Sequence, residues 1–98
     1  MPKSTSYHEK LIQDLKYPLE AAAYIEVVLE ESDPKMLKKA INNVIESQGG
    51  IDQLSVSTKE CYNDLAQKLS EQGEVEIYSL TTLLDALELQ LEITVKSA

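Results

Sequence analysis

Apolar residues recur at the spacing of an α-helix through most of this 98-residue chain. The clearest case is the segment 59–70, in which every fourth position is apolar. Its apolar positions are Cys61, Leu65 and Leu69, flanked by Tyr62 and Ala66. This spacing gives a helix one buried stripe and one solvent-facing side. The pattern predicts an all-α fold, a small helical bundle in a single domain.

Capping residues and prolines divide the pattern into helices. Pro18 and Pro34 suit the first helical position, where the missing N–H costs nothing, and Asp33 suits the N-cap before it. Gly49-Gly50 favours the end of a helix. The predicted helices span residues 7–15, 19–31, 35–48, 59–70 and 80–87, with a shorter helical piece at 51–55. The polar segment Met1–Ser6 is expected to be frayed.

Residues 50–87 predict a helix-turn-helix, following N-terminal helices at 7–48. The short piece at 51–55 leads into a tight turn, and Ser57 or Thr58 is expected to cap the next helix. A polar loop at Gly73–Ile77 and a last helix capped by Ser79 complete the unit. Two short helices joined by a few residues, the second of them amphipathic, are what a helix-turn-helix requires.

The C-terminal segment 88–95 changes its period. Apolar Leu89, Leu91, Ile93 and Val95 alternate with polar residues, which is typical of a short β-strand. A single strand in an all-helical chain must pair with another chain or lie as extended structure. Helix-turn-helix proteins also bind DNA half-sites with two-fold symmetry. We therefore expect a homodimer.

The charge of the chain bears on which kind of partner it binds. The net charge is −8, divided as −2 over residues 1–49 (8 acidic, 6 Lys) and −6 over residues 50–98 (9 acidic, 3 Lys), and the chain has no arginine. Phosphate contacts need positive charge, and arginine makes the commonest specific base contact. An acidic surface suits a basic protein partner better than nucleic acid.

No arrangement of residues predicts catalysis or a cofactor. His8 is interpreted as a surface residue, because no second ligand lies near it in sequence. Cys61 lies on an apolar stripe and is interpreted as a small core residue. Glu30, Glu31 and Asp33 resemble a weak cation site but are better explained by a helix end followed by a helix cap. The protein is therefore expected to be neither an enzyme nor a metalloprotein.

Targeting features are also missing from the pattern. The N-terminal segment is too polar for a signal peptide, and no apolar run approaches the length of a membrane span. The single cysteine excludes an internal disulfide. We expect a cytoplasmic protein that does not bind membranes.

Several short sequences, in order, resemble one family. They are Tyr7-His8-Glu9 with Leu11 and Leu15; Ala21-Ala22-Ala23-Tyr24-Ile25; Leu29-Glu30-Glu31 with Asp33; Ala40, Val44, Gly49-Gly50-Ile51, Leu54 and Thr58; Leu65, Leu69-Ser70-Glu71 and Gly73; and Thr82-Leu83-Leu84 with Ala86-Leu87. The set covers about 80 residues and is similar to the helix-turn-helix antitoxins of type II toxin–antitoxin systems, the HigA-like addiction module antidotes. The resemblance implies a lambda repressor-like fold, an operon repressor, and a RelE/ParE-like toxin as partner.

The chain departs from the family at a few positions. Lys59 replaces the usual turn glycine, where a side chain costs about 1 kcal/mol, so the turn is expected to be reshaped. Cys61-Tyr62-Asn63-Asp64 replaces the small and arginine-bearing start of the recognition helix. Ala66 replaces a tyrosine. Glu74-Val75 replaces Asn-Pro, and Leu87-Glu88 replaces Leu-Gly.

Two functions remain open, each with its own candidate residues. The first is an antitoxin and DNA-binding transcription regulator; the second is a protein-interaction scaffold whose helix-turn-helix no longer binds DNA. The DNA-binding candidates are Thr58, Lys59 and Lys68 near phosphates and Tyr62, Asn63 and Gln67 near bases. The candidates for binding a basic toxin are Glu9, Asp14, Glu20, Glu26, Glu30 and Glu31.

Overall fold

The computed structural model describes residues 3–93 and 95, with side chains from Tyr7 onward. Its α-helices are α1 (Lys3–Asp14), α2 (Pro18–Glu31), α3 (Pro34–Ser47), α4 (Val56–Gln72) and α5 (Ile77–Ala86), with a 3₁₀ turn at Ile51–Gln53. The Cα radius of gyration is 13.8 Å, close to the roughly 13 Å of a globular domain of this length. The predicted all-α bundle is confirmed.

Helix α3 is the central element. Ala40, Ile41 and Val44 are fully inaccessible to solvent, and α1, α2 and α4 all pack against this helix, while α5 packs against α4. The five apolar residues predicted to be buried on α3 are all buried, which confirms that stripe: Leu37, Ala40, Ile41, Val44 and Ile45. The fold is therefore built around the helix with the most regular apolar spacing.

Two tyrosines attach the neighbouring helices to α3. The Tyr24 hydroxyl on α2 accepts a hydrogen bond from Nδ2 of Asn43 at 3.0 Å. On α4, the Tyr62 hydroxyl donates to Oδ1 of Asn42 at 3.3 Å. Asn43 is buried, so its amide needs this partner, whereas Asn42 is exposed. Consecutive asparagines thus fix the positions of two different helices.

The predicted helix ends around α3 are confirmed. Pro18 and Pro34 are the first residues of α2 and α3, and Oδ1 of Asp33 accepts a hydrogen bond from the Lys35 amide at 3.0 Å. After α3, Gly49 and Gly50 have φ of 111° and 95°. Glycine has no Cβ and adopts these angles at little steric cost, so the chain turns away from α3 there.

The segment predicted to be a helix-turn-helix has different boundaries in the structure. The cap of α4 is Ser55, whose hydroxyl accepts from the Thr58 amide at 3.2 Å, so the prediction of Ser57 or Thr58 as cap was wrong. Helix α4 begins three residues earlier than predicted, and the Lys59 amide donates to the Ser55 carbonyl at 2.9 Å. Lys59 is therefore a helical residue and not part of a left-handed turn. The helical piece before α4 is one 3₁₀ turn.

Two other helices also begin earlier than predicted. Helix α1 begins at Lys3, inside the segment expected to be frayed, of which Met1 and Pro2 lie outside the described residues. Helix α5 begins at Ile77, and Ser79 does not cap it, because its hydroxyl donates to Oε2 of Glu76 at 2.7 Å. Polar residues are tolerated in a first helical turn, so the apolar pattern alone places the start of α1 too late. The first turn of α5 begins with exposed Ile77 and Tyr78, which lie outside the buried apolar pattern of that helix.

The described part of the C-terminal segment, residues 88–93 and 95, forms neither helix nor strand. Glu88 adopts a left-handed conformation with φ of 66°, and the Leu89 amide donates to the Leu84 carbonyl at 2.8 Å. The predicted strand is therefore absent from the described part of the chain, where no neighbouring strand completes a ladder, and pairing with another chain stays a prediction. Thr94 lies outside the described residues.

Candidate interaction surfaces

Helix α4 carries the residues predicted to contact bases. Asn63 and Gln67 are exposed and lie one helical turn apart, as predicted. Nε2 of Gln67 donates to Oε2 of Glu71 at 3.2 Å. These two amide side chains are therefore brought together on the outer face of α4.

Tyr62, the third predicted base contact, is not on that face. Its side chain is only 9% exposed and packs in the core, with its hydroxyl bonded to Asn42. Burial raises the pKa of this hydroxyl above its ordinary value. The correction follows from helical geometry: Tyr62, Leu65 and Leu69 are three and four residues apart and form the buried stripe of α4.

The predicted phosphate contacts are only partly accessible. Thr58, Lys59 and Lys68 are half-buried, and Nζ of Lys68 lies 3.3 Å from Oδ2 of Asp64. The Thr58 hydroxyl lies 2.8 Å from that of Ser55, inside the cap. Exposed acidic residues are more numerous on this helix: Glu60, Asp64 and Glu71. The outer face of α4 therefore presents more negative than positive charge.

The acidic residues predicted to bind a toxin are almost all accessible. The exposed ones are Glu9, Glu20, Glu26, Glu30 and Glu31, and four of these five belong to α2. Asp14 is half-buried, with Oδ2 lying 3.8 Å from Nζ of Lys10 on the same helix. Helix α2 contains no lysine or arginine. The candidate acidic surface is thus concentrated on one helix.

Beside these glutamates lies a groove that sequence reasoning missed. It has a volume of about 580 Å³ and runs between α2 and residues 89–92. Leu19, Ala22 and Ala23 lie along it on α2, and Leu19 is 85% exposed. Their spacing of three and four residues was readable as a second apolar stripe opposite the buried one. The other wall was not readable, because it depends on how the C-terminal segment folds back.

The remaining candidates have structural explanations. Nε2 of His8 lies 3.3 Å from Oε2 of Glu46, joining α1 to α3. Cys61 is half-buried and its Sγ donates to the Ser79 carbonyl at 3.3 Å. Burial raises the pKa of the thiol, and the nearby carboxylates of Asp64 and Glu76 add to the effect. A thiol held in its neutral form is a poor nucleophile.

The described residues contain neither a cluster of metal ligands nor a helix that could span a membrane. Among them, no three His, Cys, Asp or Glu side chains come close enough to hold a metal ion. Asp33, the last member of the acidic run near the end of α2, instead caps α3. No helix within residues 3–93 has both the length and the apolar character of a membrane span.

The fold and surfaces define a small all-α protein in which α2 and α4 have solvent-facing sides of different character. Comparison with family models, with curated proteins and with solved structures gives no match. The function is therefore inferred from the surfaces themselves and from the resemblance seen in the sequence.

Proposed function

We propose that this protein is an antitoxin-like interaction domain that binds and neutralises a small basic protein of the RelE/ParE-like toxin class. The observation that supports this most is the outer side of α2, where exposed glutamates border an apolar groove. Acidic residues around apolar surface favour a partner with basic residues around apolar side chains. The toxin class comes from the sequence resemblance, and an antitoxin would act in the cytoplasm.

Charge favours a protein partner over DNA as the principal ligand. The chain has a net charge of −8 and no arginine, and both lysines of α4 are half-buried. Electrostatic attraction to phosphates comes from accessible cations, and repulsion by Glu60, Asp64 and Glu71 opposes an approach of the DNA backbone to α4. The same charge would accelerate association with a basic protein.

The test is co-expression with the small basic protein encoded by the neighbouring gene. We expect the two to co-purify, with an association rate that falls as salt rises. Reversing two charges on α2 with Glu26→Lys and Glu30→Lys should slow association about tenfold or more. The matched control, Glu71→Lys with Glu74→Lys, makes the same change in net charge away from α2 and should have a smaller effect. Failure to co-purify would contradict the proposal.

A second candidate function is autoregulation of the operon by a homodimer that binds DNA. It is favoured by one observation, the exposed amide groups of Asn63 and Gln67 one turn apart, since each can pair with an adenine edge for about 1–3 kcal/mol. Changing both to alanine should abolish preference for the protein's own promoter while leaving toxin binding intact. No promoter preference in a low-salt gel shift, with toxin present, would leave only the interaction function.

A further inference from the structure

We propose that the groove between α2 and residues 89–92 is the docking site for a basic amphipathic helix of the partner protein. This inference rests on the proposed function for the statement that the partner is a protein. It adds the place on the chain and the kind of segment that binds there.

The groove is lined mainly by apolar residues and connects to the core. Ile25 and Leu84, both buried core residues, line it together with the half-buried Leu29 and Leu89. An apolar side chain placed there would contact the outer edge of the core and leave water. Burial of apolar surface is the main source of binding free energy at such sites, roughly 25 cal/mol per Å².

The wall formed by α2 suits a helix better than other segments. Ala22 and Ala23 have short side chains, so a second helix can come close, toward the lower end of the roughly 8–10 Å range of interaxial distances. Leu19 at one end is exposed and free to insert between side chains of the incoming helix. The stretch from Leu19 to Glu30 is about 16 Å long, enough for three turns of a partner helix.

The rim of the groove is negatively charged. Glu26 and Glu30 line it from α2, and Glu92 lines it from the C-terminal segment. Lysine or arginine residues flanking the apolar side of a helix would lie against these carboxylates. A second copy of the chain would instead bring the same glutamates into a symmetric interface, where like charges repel. Charge complementarity therefore favours a basic partner over self-association.

The experiment measures binding of a synthetic amphipathic helix of leucine and lysine by fluorescence anisotropy. The first control is a scrambled peptide of the same composition, which keeps the charge but has no apolar face. Ala23→Lys fills the groove and adds one positive charge, whereas Gln72→Lys adds the same charge at the exposed end of α4. We expect Ala23→Lys to weaken binding about tenfold or more and Gln72→Lys about twofold or less.

Three results would overturn the inference. Equal weakening by Ala23→Lys and Gln72→Lys would mean that net charge alone attracts the peptide. Equal binding of the scrambled peptide would mean that the groove recognises no apolar face. A change in the sedimentation of Ala23→Lys protein without peptide would mean that a second copy occupies the groove. Circular dichroism monitors folding, and Ala22→Lys repeats the test if Ala23→Lys fails to fold.

The peptide experiment can fail or succeed independently of the antitoxin proposal. A groove-dependent peptide complex without co-purification of a toxin would support the docking site and contradict the antitoxin proposal. A toxin complex that is unchanged by Ala23→Lys would support the antitoxin proposal and contradict the docking site.

Discussion

Helices α2 and α4 lie on the same central helix and are attached to it in the same way, yet their outer faces differ. Each packs against α3 and hydrogen-bonds one of two consecutive asparagines through a tyrosine. The outer face of α2 combines exposed Leu19, Ala22 and Ala23 with glutamates. The outer face of α4 is polar beyond its first turn, as at Asn63 and Gln67, whereas Val56 in the first turn is exposed.

The difference shows which helix has most of its apolar residues buried by the rest of the chain and which leaves an apolar side exposed. Apart from exposed Val56 in its first turn, helix α4 keeps its apolar residues buried or half-buried along one stripe, so most of its exposed side is polar. Helix α2 has apolar residues on two sides, and only the side with Ala21, Ile25 and Val28 is buried by α3 and its neighbours. Exposed apolar surface bordered by charge commonly marks an interaction site.

The largest expected effect is a loss of folding stability when buried side chains on the inner sides of these helices are truncated. Ile25→Ala on α2 and Leu65→Ala on α4 remove buried side chains and should each lower the free energy of unfolding by about 2–5 kcal/mol. Leu19→Ala should change it by about 0.5 kcal/mol or less, because the side chain is exposed. Urea denaturation measures all three. A large loss for Leu19→Ala would show that this residue is part of the core.

The two tyrosine–asparagine hydrogen bonds should differ in strength. Tyr24→Phe leaves the buried amide of Asn43 without its partner and should cost about 1–3 kcal/mol. Tyr62→Phe frees Asn42, which is exposed and can bind water, so the loss should be about 1 kcal/mol or less. Equal losses in urea denaturation would contradict the assignment of Asn43 as the more buried partner.

Glycine should have opposite effects at the two positions where the resembled family has glycine and this chain has another residue. Lys59→Gly places glycine inside α4 and should destabilise the protein by about 1 kcal/mol. Glu88→Gly relieves a left-handed backbone with φ of 66° and should stabilise it by about 0.5–1 kcal/mol. Thermal unfolding of both variants tests this. Stabilisation by Lys59→Gly would mean that a turn, and not continuous helix, is present at residue 59.

The smallest effect is a loss of stability in alkali that comes from α4. Burial raises the pKa of Cys61 above 9.0 and of Tyr62 above 10.0, so the unfolded chain loses these protons first as pH rises. The stabilising contribution is therefore complete below pH 9.0 and decreases as pH rises through the two folded-state values. The variant Cys61→Ala with Tyr62→Phe should show a flatter dependence in urea denaturation. An identical pH dependence would contradict this explanation.

The sequence predicted the features that depend on local spacing. The α3 stripe from Leu37 to Ile45 and the Asp33-Pro34 helix start both follow from residues close together in the chain. The start of α4 was not predicted correctly. Ser55, Ser57 and Thr58 all carry oxygens suited to capping, and local spacing does not distinguish between them. In the structure Ser55 is the cap and the helix begins at Val56.

The groove could not be predicted for a different reason. One wall is a helix face that the sequence shows, but the other is formed by residues more than fifty positions away. The alternation from Leu89 to Val95 suggested a strand, and only the tertiary structure shows Leu89 turned back onto α5 through Leu84. The periodicity of a sequence does not predict surfaces that are formed by segments far apart in the chain.

The most direct test of the central claim is a titration of isotope-labelled protein with the leucine–lysine helix, followed by amide chemical shifts. The claim is that α2, and not α4, is the face that binds a basic partner. It predicts shift changes concentrated in residues 19–30 and 89–92, with little change on the outer face of α4. Changes concentrated instead at Asn63, Gln67 and their neighbours on α4 would contradict it.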